Sequence, residues 1–173
     1  MKSWDDIWEC MTSDDSFKDA YHQSFLLNIF QKLCSKMNTD DTFKLHVIKL
    51  LNQSFDQVDT MRSIVLKQYK LELSDADSRK LLLWVEAYRR KKSTRKSRSL
   101  EEKKALISKQ NGFCLVCGEP LGTDYSKIHI DHIIPWVLVG DELEDNYQAL
   151  CSTCNECKNS KTDYLFMNML KLI

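Results

Sequence analysis

Cys114-Leu115-Val116-Cys117-Gly118 and Cys151-Ser152-Thr153-Cys154-Asn155, with Ile130-Asp131-His132-Ile133-Ile134-Pro135 between them, decide how the C-terminal part of this chain folds. A two-residue gap lets both sulfurs of a Cys-x-x-Cys knuckle reach one ion, and four such thiolates suit tetrahedral zinc. Cys114, Cys117, Cys151 and Cys154 are therefore read as the ligands of one Zn2+. Cys157 competes for the last place, but Cys154 keeps the two-residue gap. A site with four cysteine ligands has no open position for substrate, so the zinc is expected to hold the fold and not to react. The enclosed loop runs from 118 to 150, long enough for more than a turn.

Outward from this cage the composition changes near residue 111. All four glycines (Gly112, Gly118, Gly122, Gly140) and both prolines (Pro120, Pro135) lie between 112 and 140. The preceding run without breakers predicts helices. Ser13 is placed to cap a first helix carrying Phe17, Tyr21, Leu26, Leu27, Phe30, Leu33, Cys34 and Met37 at three- and four-residue spacing. Asn38-Thr39-Asp40-Asp41 opens a second, with Phe43, Val47, Ile48, Leu50 and Leu51. Val58, Met61, Ile64, Val65 and Tyr69 mark a third. Ser74 caps a fourth, with Leu81, Leu82, Trp84, Val85 and Tyr88 on its buried side. Ser99-Leu100-Glu101-Glu102 reads as a capping box for a helix through Lys109 that Gly112 ends. Ile128, Ile130, Ile133 and Ile134 have the β-branched character of a strand. The segment after Asn155, with Tyr164, Leu165, Met167, Met169 and Leu170, is helix-compatible. Cys10 and Cys34 are expected in the apolar core.

Lysine plus arginine and aspartate plus glutamate both total 25, so the overall charge indicates no partner. Its distribution does. Residues 1–88 carry net −3, residues 89–104 net +7 and residues 105–173 net −4. Arg89, Arg90, Lys91, Lys92, Arg95, Lys96 and Arg98 form a positive stripe suited to a polyanion. The seven cysteines are an odd number, and the acidic start Met1-Lys2-Ser3-Trp4-Asp5-Asp6 lacks an apolar signal-like core, which argues against a disulfide framework. The longest apolar runs, such as 81–85, are too short to span a membrane. A soluble, cytoplasmic protein with reduced thiols is expected.

The enclosed residues carry chemistry. A carboxylate (Asp131) and an amide oxygen (Asn155) are hard ligands suited to Mg2+, with Mn2+ as an alternative. A neutral imidazole such as His132 accepts a proton from water near pH 7. Phosphodiester hydrolysis needs a base for water and a cation for the charge that develops on phosphate. Lys158 and Lys161, after Asn155, are candidate phosphate contacts. Trp136 is expected to pack on the zinc ribbon, the alternative being a wedge into a nucleic-acid groove. His129 shares the strand face of Asp131 and is expected to be structural.

The pattern Cys114-x-x-Cys117, Asp131-His132-Ile133-Ile134-Pro135, Asp145-Asn146, Leu150-Cys151-x-x-Cys154-Asn155-x-x-Lys158 resembles the zinc-bearing HNH endonucleases, the ββα-metal or His-Me finger nucleases. The resemblance covers about residues 100–166. It implies that His132 is the general base, that Asp131 and Asn155 hold one divalent ion against the scissile phosphate, and that Asn146 braces the loop and orients the base. It also implies DNA as substrate, products with 5′-phosphate and 3′-hydroxyl ends, and a setting in restriction or defence against foreign DNA. Asparagine stands where the family's name puts its last histidine, a change that preserves an oxygen ligand. The expected fold class is α+β: an N-terminal all-α bundle (1–88), a basic linker (89–99) and a small zinc-stabilised ββα-metal nuclease domain (100–173). Two other readings stay open: a noncatalytic zinc ribbon that binds nucleic acid or protein, and a nuclease subunit that cuts only with a protein partner. The helical domain is a candidate platform for that partner or for a homodimer.

Overall fold

Short polar side chains at Asp40, Asp56 and Ser74 set the starts of three helices in the N-terminal half. Asp40 accepts from the Phe43 N–H at 2.9 Å, Asp56 from Val58 and Asp59 at 3.0 Å, and Ser74 from Asp77 at 3.1 Å. Each satisfies peptide donors that a helix start leaves without partners. The computed structural model describes residues 15–161 together with positions 9, 13 and 164. Cys10, Leu165, Met167, Met169 and Leu170 fall outside them.

The resulting helices are α1 (Asp15–Thr39), α2 (Asp41–Gln53), α3 (Gln57–Tyr69) and α4 (Asp75–Arg90). Ser13 is itself helical and is not the cap expected of it. Phe30, Leu33, Met37, Val47, Leu51, Met61, Val65, Leu81 and Val85 fill the core, with the Phe30 and Trp84 rings 5.6 Å apart. Cys34 lies in this core, where burial pushes its thiol up to about 12. Tyr21 and Leu50, expected inside, are exposed.

The second half begins with α5 (Leu100–Lys109), whose capping box is present in full between Ser99 and Glu102. A single-turn 3-10 helix (Tyr125–Lys127) leads into β1 (Ile128–His132), which pairs antiparallel with β2 (Tyr147–Cys151). The register sets Ile128 opposite Cys151, Asp131 opposite Gln148 and His132 opposite Tyr147. Between the strands lies α6 (Trp136–Val139), and α7 (Ser152–Lys158) follows β2 without a break. Two strands and a helix in this order, after a set of helices, make the α+β architecture expected. The strand stops earlier than the run of isoleucines suggested. Ile133 and Ile134 form the turn beyond it, and Ile134 enters the helical core.

The Gln110 side chain fastens α5 to the sheet. Its Oε1 accepts from the Ala149 N–H at 2.7 Å, and its Nε2 donates to the carbonyls of Ala149 and Phe113 at 3.0 Å. An edge-strand peptide group thereby gains a partner in place of water.

One core serves both halves. Ile134, Val139 and Leu143 are buried in the cluster that holds Leu81, Trp84 and Tyr88 of α4. Truncating Ile134 therefore removes packing from the bundle as well as from the loop after β1. Ile134→Ala is expected to cost about 2–5 kcal/mol. Urea unfolding followed by far-UV circular dichroism, which reports mainly on α1–α4, should show a lowered midpoint; an unchanged midpoint would contradict a shared core.

Candidate active site and metal centre

The first knuckle is a tight turn. Gly118, with φ of 72°, lets its N–H reach the Cys114 carbonyl at 2.9 Å, while the Cys114 N–H donates to Glu119 at 2.8 Å. The second knuckle joins the last residue of β2, Cys151, to Cys154 in α7. The sulfurs of Cys114, Cys117, Cys151 and Cys154 all lie within 4.8 Å of one another, and those of Cys117 and Cys151 are 4.0 Å apart. Zinc–sulfur bonds of about 2.3 Å put tetrahedral sulfurs about 3.8 Å apart, so the four fit zinc. Burial alone would raise the Cys114 thiol, but the peptide groups of Cys117, Cys151 and Val116 at its sulfur bring it down to about 7. Such a thiol is readily held as the thiolate that metal binding requires. Cys157 is exposed and outside the cluster.

Behind the cage, α7 is pinned to the end of β1 by Lys158. Its Nζ donates to the His132 carbonyl at 2.7 Å and pairs with Asp131 Oδ2 at 2.7 Å. Lys158 is only 4 % exposed. A lysine expected at the nucleic-acid surface is therefore an internal brace, its ammonium occupied by a carboxylate and a carbonyl. Lys161, by contrast, is exposed.

Gln148 Nε2 also donates to Asp131 Oδ2, at 3.1 Å. Both donors meet the same oxygen, and among the described residues Oδ1 has no hydrogen-bond or ion-pair partner. Asn155 lies half-buried on α7, three residues before Lys158 and so on the same helix face. Its side-chain amide makes no hydrogen bond among the described residues, and none joins it to Asp131. One carboxylate oxygen and one amide oxygen without partners are a hard donor set that fits Mg2+.

His132 leaves the strand on the face opposite Asp131. Its Nε2 lies 3.0 Å from Asp141 Oδ1, and its ring is 4.8 Å from that of Tyr147. Burial lowers the imidazole below its ordinary value, outweighing the raising effect of Asp141, so it is neutral near pH 7. Asn146 makes no hydrogen bond to the ring among the described residues. Its Oδ1 accepts from the Ile134 N–H at 2.7 Å, its Nδ2 donates to the Ile134 carbonyl at 2.9 Å, and its own carbonyl accepts from Ile133 at 3.0 Å. It braces the chain just after the histidine. His129 is satisfied by Ser152 at 3.2 Å, as a structural histidine would be.

The basic stripe lies against this site. Arg89 and Arg90 end α4, with Arg89 held by Glu86 and Asn52. Lys91 donates to the Val137 carbonyl at 2.6 Å. Gly140 permits that approach, because a Cβ there would sit 3.0 Å from Lys91 Cβ. Further along, Arg95 lies over Trp136 at 5.4 Å and Arg98 over Tyr147 at 3.9 Å. Lys92 is exposed. Trp136 thus packs under the arm and not on the zinc ribbon. Arg95, Lys96, Arg98, His132, Asp141 and Tyr147 all line one cavity of about 320 Å³.

Residues 114–161 match the family model described as HNH endonuclease, and the same segment holds the four-cysteine cluster suited to zinc. No curated protein and no solved structure matches the chain. No helix among the described residues is long and apolar enough to cross a membrane.

Metal analysis of the purified protein is expected to give about one zinc per chain. Cys151→Ser should lose that zinc and, with it, the near-UV dichroism of the C-terminal domain. Full structure without metal would show that the cage does not need an ion.

Proposed function

We propose that the protein is a metal-dependent DNA endonuclease. In this reading residues 100–173 cut, residues 89–99 bind the phosphate backbone, and the helical residues 1–88 serve as an accessory unit. A compact nuclease joined to such a unit suits restriction or defence against foreign DNA. The observation that carries the reading is a buried His132 that follows Asp131 in the strand, with Asp131 Oδ1 unpartnered among the described residues and Asn155 on the helix that Lys158 ties to both residues.

Asp131 and Asn155 would hold Mg2+, which when bound neutralises charge developing on the scissile phosphate and its leaving oxygen. His132 takes a proton from the attacking water. The water oxygen then forms a bond to phosphorus as the bond to the 3′ oxygen breaks. That oxygen leaves with a proton from solvent, giving 5′-phosphate and 3′-hydroxyl ends. Lys158 and Gln148 hold Asp131 by Oδ2 and leave Oδ1 for the ion, while Asn146 fixes the backbone from which His132 projects. The uncompensated cations of the 89–98 arm, with Lys161, supply backbone affinity that falls as salt rises, because releasing condensed counterions into a more concentrated solution gains less entropy.

Removing a general base costs on the order of 10²–10⁴-fold in rate. His132→Ala should lose plasmid nicking in Mg2+ by about that factor while keeping its zinc and its thermal midpoint. Undiminished nicking by the folded variant would refute the assignment. A zinc-loaded wild type that binds nucleic acid but never cuts would leave a binding ribbon as the better reading. Replacing Arg95 and Lys96 with alanine should weaken binding to duplexes of different sequence about equally and flatten its salt dependence; unchanged salt dependence would exclude the arm from the interface.

A further inference from the structure

Asp141 is a carboxylate with four polar partners. Its Oδ1 lies 3.0 Å from His132 Nε2 and accepts from the Tyr147 hydroxyl at 2.8 Å. Its Oδ2 accepts from the Lys96 peptide N–H at 2.9 Å and from the Trp136 indole N–H at 3.1 Å. The side chain is only 5 % exposed. Few buried carboxylates gather donors from a strand, a short helix and a distant arm, and this one has no lysine or arginine salt-bridge partner among the described residues. Burial would raise its carboxyl, but these donors hold it well below the usual carboxylate range, so it carries a full charge.

We propose that Asp141 is the positioning residue of the base: it holds His132 as the Nε2–H tautomer, leaving the Nδ1 lone pair for water. This inference rests on the nuclease reading for its kinetic consequence but not for its structural one. An ionised carboxylate can only accept, so the nitrogen facing it must carry the hydrogen. In a neutral imidazole the other nitrogen is then the acceptor. The Lys96 contact gives the basic arm a second task. Its peptide N–H, not its charged side chain, fixes the Oδ2 end of Asp141, so the arm that meets phosphate also forms part of the support under the base. Trp136 and Tyr147 share that support, and the guanidinium groups of Arg95 and Arg98 rest on their rings.

The test is long-range 1H–15N correlation on the imidazole of the zinc-loaded full chain, run beside single-turnover cleavage of a labelled duplex in Mg2+. Wild-type His132 should show a protonated Nε2 and an unprotonated Nδ1. Asp141→Asn should mix the two tautomers and lower the cleavage rate at saturating enzyme by about 10–100-fold. Its Kd for the duplex should be unchanged, because no phosphate contact is lost. The Nδ1–H tautomer in the wild type would overturn the inference whether or not the variant folds. So would a folded Asp141→Asn with unchanged tautomer and unchanged rate, while His132→Ala still abolished cutting. If His132→Ala cut normally, the assignment of His132 as base would fail separately, and if the wild type never cut, the nuclease reading would; in either case the tautomer measurement alone would decide the hold of Asp141.

Discussion

Four sulfurs within 4.8 Å of one another bring the two ends of the 118–150 loop together, next to the hydrogen bonds by which Gln110 joins Phe113 to Ala149. The closure fixes the first knuckle against the junction of β2 and α7. Because Cys154 sits in α7, one turn before Lys158, the cage also sets where that helix points. Lys158 then completes the tie by reaching the Asp131 carboxylate and the His132 carbonyl. The cysteine cluster at one end of a seven-residue helix and a buried ammonium at the other hold the helix to the strand. The polar helix Ser152–Lys158 would not form alone in water, since isolated helices of that length do not repay nucleation. Its stability comes from these two attachments.

The site has two sides that meet only along the backbone of β1. Asp131 faces Gln148 and Lys158, whereas His132 faces Asp141 and Tyr147. Asn146 fixes the turn just beyond both, because its amide holds the peptide of Ile134 and its carbonyl that of Ile133. The same turn sends Ile134 into the core built on α4. The N-terminal helices are thus in packing contact with the segment that follows His132. This contact and the docked arm give the N-terminal half a physical route to the site.

Much of this was legible in the sequence because it depends on local chemistry. Asp40, Ser74 and Ser99 cap the helices they precede, and the paired spacing of the cysteines names its own cluster. Asp131, His132 and Asn155 stand out because few residue types could serve in the roles proposed for them. Asp141 was not legible. It lies nine residues beyond His132 among Glu142, Glu144 and Asp145, and nothing local separates it from those acids. Its four partners come from 96, 132, 136 and 147, a set that only the folded chain assembles. Lys158 misled for a related reason. A lysine after a metal-site asparagine looks like a phosphate contact, and a short polar helix gives no periodicity from which to read burial. The docking of the basic run on Trp136 and Tyr147 was hidden too, since charge patterning records a stripe and not the surface beneath it.

The central claim is that a structural zinc and a separate, replaceable divalent ion serve one nuclease site. Its most direct measurement is cleavage of supercoiled plasmid by the zinc-loaded full chain, titrated with Mg2+ after exposure to a chelator too weak to remove zinc. We expect no cutting before Mg2+ is added, and nicking that rises and saturates with Mg2+ while the zinc content stays constant. Cutting that ignores Mg2+, or its absence at every Mg2+ concentration with DNA still bound, would contradict the claim.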